Sequence, residues 1–154
     1  MSYDAFKVMH LLGVVLFLGN IIVTALWKSL ADRTAEPRVI AYAQRLVTLT
    51  DWLFTAGGVT FLVIGAYGMI AVGHLDALHT PWLLWGQGLL AGSGVIWLAA
   101  LLPIQTAQAR LARGFAAGGP IPPRYWQLNR LWMVFGILAT LLPLGNLYVM
   151  IFKP

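Results

Sequence analysis

The pattern of hydrophobic and polar positions divides the chain into four long apolar runs. They are residues 8–27, 52–72, 81–104 and 131–152, and none of them contains Asp, Glu, Lys or Arg. A helix needs about 20 apolar residues to cross a hydrocarbon core ~30 Å thick, and helices satisfy their own backbone hydrogen bonds there. The pattern therefore predicts an all-α, four-helix membrane bundle that forms a single domain over residues 1–154.

Proline positions predict where the helices begin and how far they extend beyond the apolar runs. Pro37 and Pro123 precede apolar positions at helical spacing, and proline is favoured at the first position of a helix. The second helix is therefore expected to begin near Pro37. The third is expected to pass Pro103 and end near Arg113, before glycines and prolines break it. The fourth is expected to restart near Pro123.

The charge distribution predicts an orientation. The net charge is +5, and eight of the ten basic residues lie in two of the three connections between the apolar runs. Cytoplasmic loops carry such an excess of Lys and Arg. Both termini are therefore expected on the outer, periplasmic side of a bacterial inner membrane. Orientation and contact with anionic lipid explain the basic surplus without a nucleic-acid partner. The eight residues are Lys28, Arg33, Arg38, Arg45, Arg110, Arg113, Arg124 and Arg130.

A few polar and sulfur-containing side chains interrupt the apolar runs near their outer ends. Counted inward at about 1.5 Å per residue, they reach similar depths. An ionisable group such as a histidine is costly at that depth and often marks a functional site. Two interpretations stay open, since these groups either hydrogen-bond to one another and lock the helices, or line a pocket near the outer face. The candidate pocket residues are His10, Gly65, Met69, Gln87, Asn146 and Met150.

Small residues in the runs indicate where helices approach one another. Gly88-x-x-x-Gly92 has the spacing of a helix-packing motif and offers a face for a homo-oligomer. Gly57, Gly58 and Gly65 suggest the same kind of contact, although a row of glycines also makes room for a flat cofactor.

Asp51, at the inner end of the second run, has two interpretations. It is expected to pair with Arg45, Lys28 or Arg130, or else to relay protons.

The outer connection between the second and third runs contains two imidazoles and a carboxylate, on His74, Asp76 and His79. Histidine and aspartate are common ligands of zinc and copper. The loop is therefore a candidate metal site, with an ordinary polar loop as the alternative. The chain has no cysteine, which excludes disulfides and thiol chemistry.

An ordered set of short motifs resembles a known bacterial family, the predicted integral membrane proteins grouped as domain of unknown function 2269. The resemblance covers nearly the whole chain and implies a topology without an activity. The motifs are Lys7-x-x-His10-Leu-Leu-Gly13, Gly19-Asn20 with Thr24-Ala25-x-Trp27-Lys28, Asp51-Trp52-x-Phe54, Thr80-Pro81-Trp82 and Tyr148-x-Met150-x-Phe152-Lys153-Pro154.

The Lys7-x-x-His10 element is also similar, more faintly, to four-helix proteins of the HemJ (protoporphyrinogen oxidase) and CopD (copper-resistance) types. This similarity implies a haem b whose axial ligand is His10. The second axial ligand would be Met69, Met150 or His10 of a second copy of the chain.

Three functions are consistent with the sequence. The first is a haem-binding or other cofactor-binding redox protein with a pocket near the outer face. The second is an accessory subunit for transport of a small solute or a metal, and the third is a structural membrane scaffold. The sequence lacks the phosphate-loop and dinucleotide motifs and any paired carboxylates on one side of the membrane, so it favours a protein that is not an enzyme.

Overall fold

Four long helices build the protein, and the computed structural model describes residues 1–153. They are α1 (Tyr3–Arg33), α2 (Pro37–Val72), α3 (Pro81–Phe115) and α4 (Pro123–Phe152). Each is long and apolar enough to cross a membrane, and the described residues contain no strand. The predicted all-α bundle with four spans is confirmed.

The helices begin where the prolines predict. Pro37, Pro81 and Pro123 each occupy the first turn of a helix, behind a residue in extended conformation. A proline costs nothing there, because the first backbone N–H groups of a helix have no intrahelical acceptor. The end of α3 lies at Phe115, two residues beyond the predicted Arg113.

The two ends of the bundle are distinguished by their connections. The basic end carries connections 34–36 and 116–122, and the terminal end carries residues 1–2 and connection 73–80. The chain runs from the terminal end to the basic end in α1 and α3, and returns in α2 and α4.

Both middle helices contain a π-helical stretch in their interior. The stretch in α2 is Asp51–Ala56, and the one in α3 is Trp97–Leu101. In α3 the cause is Pro103, which lacks an N–H and whose ring displaces the carbonyl four residues earlier. Such stretches occur often at functional sites. The α-helical parts are Pro37–Thr50, Gly57–Val72, Pro81–Ile96 and Leu102–Phe115.

Glycines bring α1 and α2 into backbone contact. A Cβ atom on Gly65 would lie 2.6 Å from the carbonyl oxygen of Phe6, and one on Gly13 would lie 2.6 Å from that of Gly58. Small residues allow this approach, which replaces the hydrophobic effect as a source of attraction in lipid. The prediction that Gly58 and Gly65 mark a helix contact is confirmed.

A hydrogen bond between α3 and α4 compensates for a proline. Pro143 lies inside α4 and has no N–H to donate to the carbonyl of Ala139. The hydroxyl of Ser93 donates to that carbonyl oxygen at 2.7 Å, and all three residues are buried. The bond therefore joins the two helices and satisfies a backbone group that no water reaches.

The two helix pairs, α1–α2 and α3–α4, meet at the basic end and separate towards the terminal end. At the basic end α2 packs on α3 and α4 through Ile40, Phe115 and Tyr125. Towards the terminal end, segments Gly57–Val72 and Pro81–Ile96 have no backbone contact within the described residues. The helices therefore enclose a wedge-shaped space.

We predict that Ser93→Ala lowers the free energy of unfolding by about 1–3 kcal/mol, because it leaves the carbonyl of Ala139 buried without a donor. Pro143→Ala restores an intrahelical N–H, so the same change should cost less in that background. The double-mutant cycle is measured by thermal unfolding in detergent. Equal costs of Ser93→Ala in both backgrounds would contradict this account.

Candidate functional site

The wedge between the helix pairs contains a cavity of about 570 Å³. All four helices contribute to its apolar wall, for example through Phe17, Leu90 and Ile137. Ile22 and Leu141 also border the cavity and are 50% and 57% exposed. Exposed apolar side chains on a membrane-spanning bundle face hydrocarbon, so the cavity opens sideways towards the lipid.

The end of the cavity nearest the basic end is polar. Its centre is Asp51, whose Oδ1 accepts a hydrogen bond from Asn20 Nδ2 at 3.0 Å and one from the Thr55 hydroxyl at 3.2 Å. Thr24 supports this arrangement by donating to Asn20 Oδ1 at 3.1 Å. The network links α1 to the π-helical stretch of α2, and it places a carboxyl group at the end of an apolar cavity.

Two side chains of α3 complete the surroundings of this carboxyl group. Gln105 and Trp97 approach Asp51 from the opposite side, and both line the cavity. The indole nitrogen of Trp97 is buried without a partner in hydrogen-bonding geometry within the described residues. Asp51 thus accepts hydrogen bonds from two neutral side chains, Asn20 and Thr55, and has two further neutral side chains beside it.

Asp51 lies within the membrane rather than at its surface. Its partner Asn20 is seven residues from the basic end of the first apolar run, which corresponds to a depth of about 10 Å along a helix. Ionisable groups at such depth are expensive, face the bundle interior and mark functional sites.

No cation partners Asp51 in the described part of the chain. The prediction that it pairs with Arg45, Lys28 or Arg130 is therefore wrong. Lys28 binds Asp32 instead, and the two arginines are exposed. The physical reason is that Asp51 points into the bundle, whereas the arginine side chains reach water at the basic end.

A second polar network lies closer to the basic end and centres on Lys28, which is only 1% exposed. Its ammonium group donates to Asp32 and Asn129, both at 2.8 Å, and to the Tyr125 hydroxyl at 3.3 Å. The same hydroxyl donates to the other oxygen of Asp32 at 3.0 Å. All three ammonium protons are thus used, and the network fastens α1 to α4.

We predict that Lys28→Met lowers the free energy of unfolding by roughly 3–5 kcal/mol, because it leaves the carboxylate of Asp32 nearly buried without its cation. The double variant Lys28→Met/Asp32→Asn should be more stable than Lys28→Met alone. Thermal unfolding in detergent measures both. The matched control is Lys7→Met on the exposed part of α1, which should change stability by less than about 0.5 kcal/mol.

The candidate pocket residues at the terminal end do not share a hydrogen-bond network within the described residues. The imidazole Nδ1 of His10 donates to the carbonyl oxygen of Leu62 at 2.9 Å. The side-chain oxygen of Gln87 accepts from the Tyr67 hydroxyl at 2.7 Å. Asn146 lies on α4, where its Oδ1 is buried without a partner. His10 lies in one helix pair and Gln87 and Asn146 in the other, and the hydrogen bond from Tyr67 to Gln87 bridges the two pairs.

The surroundings of His10 do not fit a haem ligated by His10 and a methionine of the same chain. Gly65 offers no space for a flat cofactor, because the backbone of His10 itself packs against it. The methyl group of Met150 packs against Gly86 in the other helix pair. Met69 lies half-buried on α2, and none of these residues lines the cavity.

Haem binding stays a prediction from the sequence, and an absorption spectrum checks it. From the geometry around His10 we expect no Soret band in protein purified from cells supplied with haem. A Soret band that disappears in His10→Ala, while the variant still folds, would contradict this expectation.

In the terminal-end loop, Asp76 and His79 meet, with 2.9 Å between Oδ2 and Nδ1. Backbone N–H groups of His79 and Leu78 also donate to this carboxylate and hold the pKa of Asp76 below its ordinary value. His74 does not join them, and no group of three potential metal ligands converges anywhere in residues 1–153. The loop therefore holds an aspartate–histidine pair.

Several residues of the site were not predicted to belong to one. Thr55, Trp97 and Gln105 are uncharged and belong to no recognised motif, so composition alone does not mark them as functional residues. A usable signal existed in α1, where Asn20, Thr24 and Lys28 recur every four residues on one face. That spacing indicated a buried polar face without revealing what it contacts.

A bundle of four apolar helices whose few polar groups face inward is the architecture of an integral membrane protein. The chain belongs to the family described as predicted integral membrane protein (DUF2269), whose model matches residues 4–154. No curated protein and no solved structure matches the chain significantly.

Proposed function

We propose that this protein binds lipophilic cations, molecules with an apolar body and a positively charged end, in the cavity that ends at Asp51. The observation that carries the proposal is a half-buried carboxyl group with no cation partner at the end of an apolar cavity. A carboxylate in such surroundings needs a proton or a positive charge from a bound molecule.

The dimensions and the wall of the cavity support a small-molecule ligand. Its volume lies within the range of ligand sites, about 300–1,000 Å³, and its wall is mostly apolar with a few converging polar groups. The opening towards lipid, bordered by Ile22 and Leu141, suits a ligand that partitions into the bilayer.

Aromatic side chains support a cation in particular. The indole of Trp97 lines the cavity next to Asp51, and the indole of Trp132, which also lines it, already holds the Lys28 ammonium group 5.1 Å from its ring centre. The face of an indole attracts cations, and the attraction increases when water is excluded. An anionic ligand would meet the Asp51 carboxyl group instead and be repelled.

We predict that purified protein binds tetraphenylphosphonium and not tetraphenylborate, which has the same shape and the opposite charge. Asp51→Asn should weaken binding of the cation at least about tenfold, equivalent to about 1.4 kcal/mol. Isothermal titration calorimetry in detergent measures the affinity. Asp76→Asn is the matched control, because it removes an exposed carboxylate far from the cavity and should leave binding unchanged.

A second pair of variants tests the cavity itself. Gly136 lines the cavity and has open space at the position of a Cβ atom, so Gly136→Leu should fill it and abolish binding while Asp51 is intact. Gly145→Leu adds the same side chain at an exposed position outside the cavity. Equal binding by the two variants, or equal binding of both tetraphenyl ions, would refute the proposal.

The location that suits this function is the bacterial inner membrane with the basic end in the cytoplasm. The lysines and arginines at that end support this orientation. Asp51 would then lie in the cytoplasmic half of the membrane. We also retain the homo-oligomer through the Gly88/Gly92 face as a proposal, because open space surrounds the position of a Cβ atom on Gly88, although one on Gly92 would lie 3.5 Å from Leu142 of the same chain.

A further inference from the structure

Three buried glutamines between the cavity and the basic end leave their amide oxygens without partners. Gln44, Gln105 and Gln108 are 0%, 3% and 0% exposed, and the Oε1 atom of each is buried without a hydrogen bond. A buried acceptor without a donor is costly, so such groups are normally satisfied by ordered water. Three of them in one region therefore indicate hydration.

Their neighbours fix which atom of each amide is free. The NH₂ group of Gln44 donates to the backbone carbonyl of Gln105 at 3.5 Å, and a carbonyl only accepts. The ammonium group of Lys28 only donates, so Asn129 turns its oxygen towards it, and the NH₂ group of Gln108 faces that same oxygen at 3.4 Å. Reversing either amide would place two acceptors together. The free atoms of Gln44 and Gln108 are therefore oxygens.

These glutamines connect the two polar networks. Gln105 lies beside Asp51, and Gln108 follows three residues later on the same face of α3, about 4.5 Å along the axis. Gln108 leads through Asn129 to Lys28 and Asp32. The side chain of Asp32 is 9% exposed and so reaches the surface at the basic end.

We infer that a hydrated path along these glutamines exchanges protons between Asp51 and the basic end of the bundle. The path deepens the proposed function, on which it rests, because release of a proton through it would leave Asp51 charged for a cationic ligand. Bound ligand and proton would then compete for one carboxyl group.

The transfer balances without any redox partner. The O–H bond of the Asp51 carboxyl group breaks, and its proton passes to an adjacent water. Successive O–H bonds form and break between waters until the carboxylate of Asp32 takes a proton, which it then exchanges with bulk water. The amide oxygens accept hydrogen bonds from the waters and hold them in place, but carry no proton themselves.

The groups around the path leave few alternative carriers. At its basic end, α1 contributes Lys28 and Asp32, and α4 contributes Tyr125. At the cavity end, Asp51 is the one charged residue among the cavity-lining residues described. The surfaces of α2 and α3 that face the path between these ends present amides. Exchange at Asp51 should therefore depend on the glutamines.

The test is hydrogen–deuterium exchange at the carboxyl group of Asp51, followed by infrared spectroscopy of the full-length protein in detergent. The carboxylic acid C=O band is assigned by its loss in Asp51→Asn. Gln44→Met and Gln108→Met keep the side-chain volume and remove the oxygens. Each should slow exchange about tenfold or more, since losing a bridging hydrogen bond raises the barrier by about 1.4 kcal/mol. Gln127→Met, on the exposed side of α4, should exchange like the wild type.

Two variants are used so that a loss of stability in one leaves the other to be scored, and a variant is scored when it keeps the thermal midpoint of the wild type. Wild-type exchange rates in both folded variants would overturn the path, as would the absence of any band that Asp51→Asn removes. Tetraphenylphosphonium binding separates the two proposals, because Gln44 and Gln108 do not line the cavity. Slowed exchange with unchanged binding supports both. Tetraphenylphosphonium binding that is unchanged in Asp51→Asn refutes the ligand proposal alone.

Discussion

The structure depends on one constraint, which is that hydrocarbon offers no hydrogen bonds, so every polar group in the bundle needs a partner from the protein or from enclosed water. The carbonyl of Ala139, freed by Pro143, receives the hydroxyl of Ser93. The imidazole of His10 donates to a backbone carbonyl. Lys28 uses all three of its protons. In each case the partner belongs to a different helix or lies a full turn away, and satisfying it fixes how the helices pack.

The polar groups that lack a hydrogen-bond partner or a counter-charge are therefore informative. Asp51 has neutral donors but no counter-charge, and three glutamine oxygens have no donor. Both lie towards the basic end, at the polar end of the cavity or beyond it, whereas at the terminal end the Asn146 oxygen is also unpartnered. Elsewhere close glycine contacts and paired hydrogen bonds stabilise the bundle. Here it keeps a costly arrangement, which is what a binding site with exchangeable occupants requires.

The position of the site differs from the position that the sequence favoured. A histidine in an apolar run is the most conspicuous residue of the chain, and depth counting gave it Gln87 and Asn146 as neighbours. Depth along a helix does not give direction around it or the distance between helices. The helix pairs diverge at that level, so His10 does not reach Gln87 or Asn146, although the Tyr67 hydroxyl of α2 still bonds to Gln87 of α3. Asp51 was expected at the inner end of its apolar run. Because α2 extends beyond that run, the sequence does not show how deeply the first turns of α2 pack against α1.

The sequence by itself determined the number, limits and order of the helices, because apolar length and proline position are local properties of the chain. Charge counts on the connections predicted the orientation, and the glycines of α2 predicted a helix contact without identifying α1 as the partner. Only the tertiary structure decided that Lys28 meets Asp32 rather than Asp51, and that Trp97 and Gln105 face the same carboxyl group. Those relations depend on the rotation and tilt of helices that are distant in sequence, and side-chain packing across the bundle sets both.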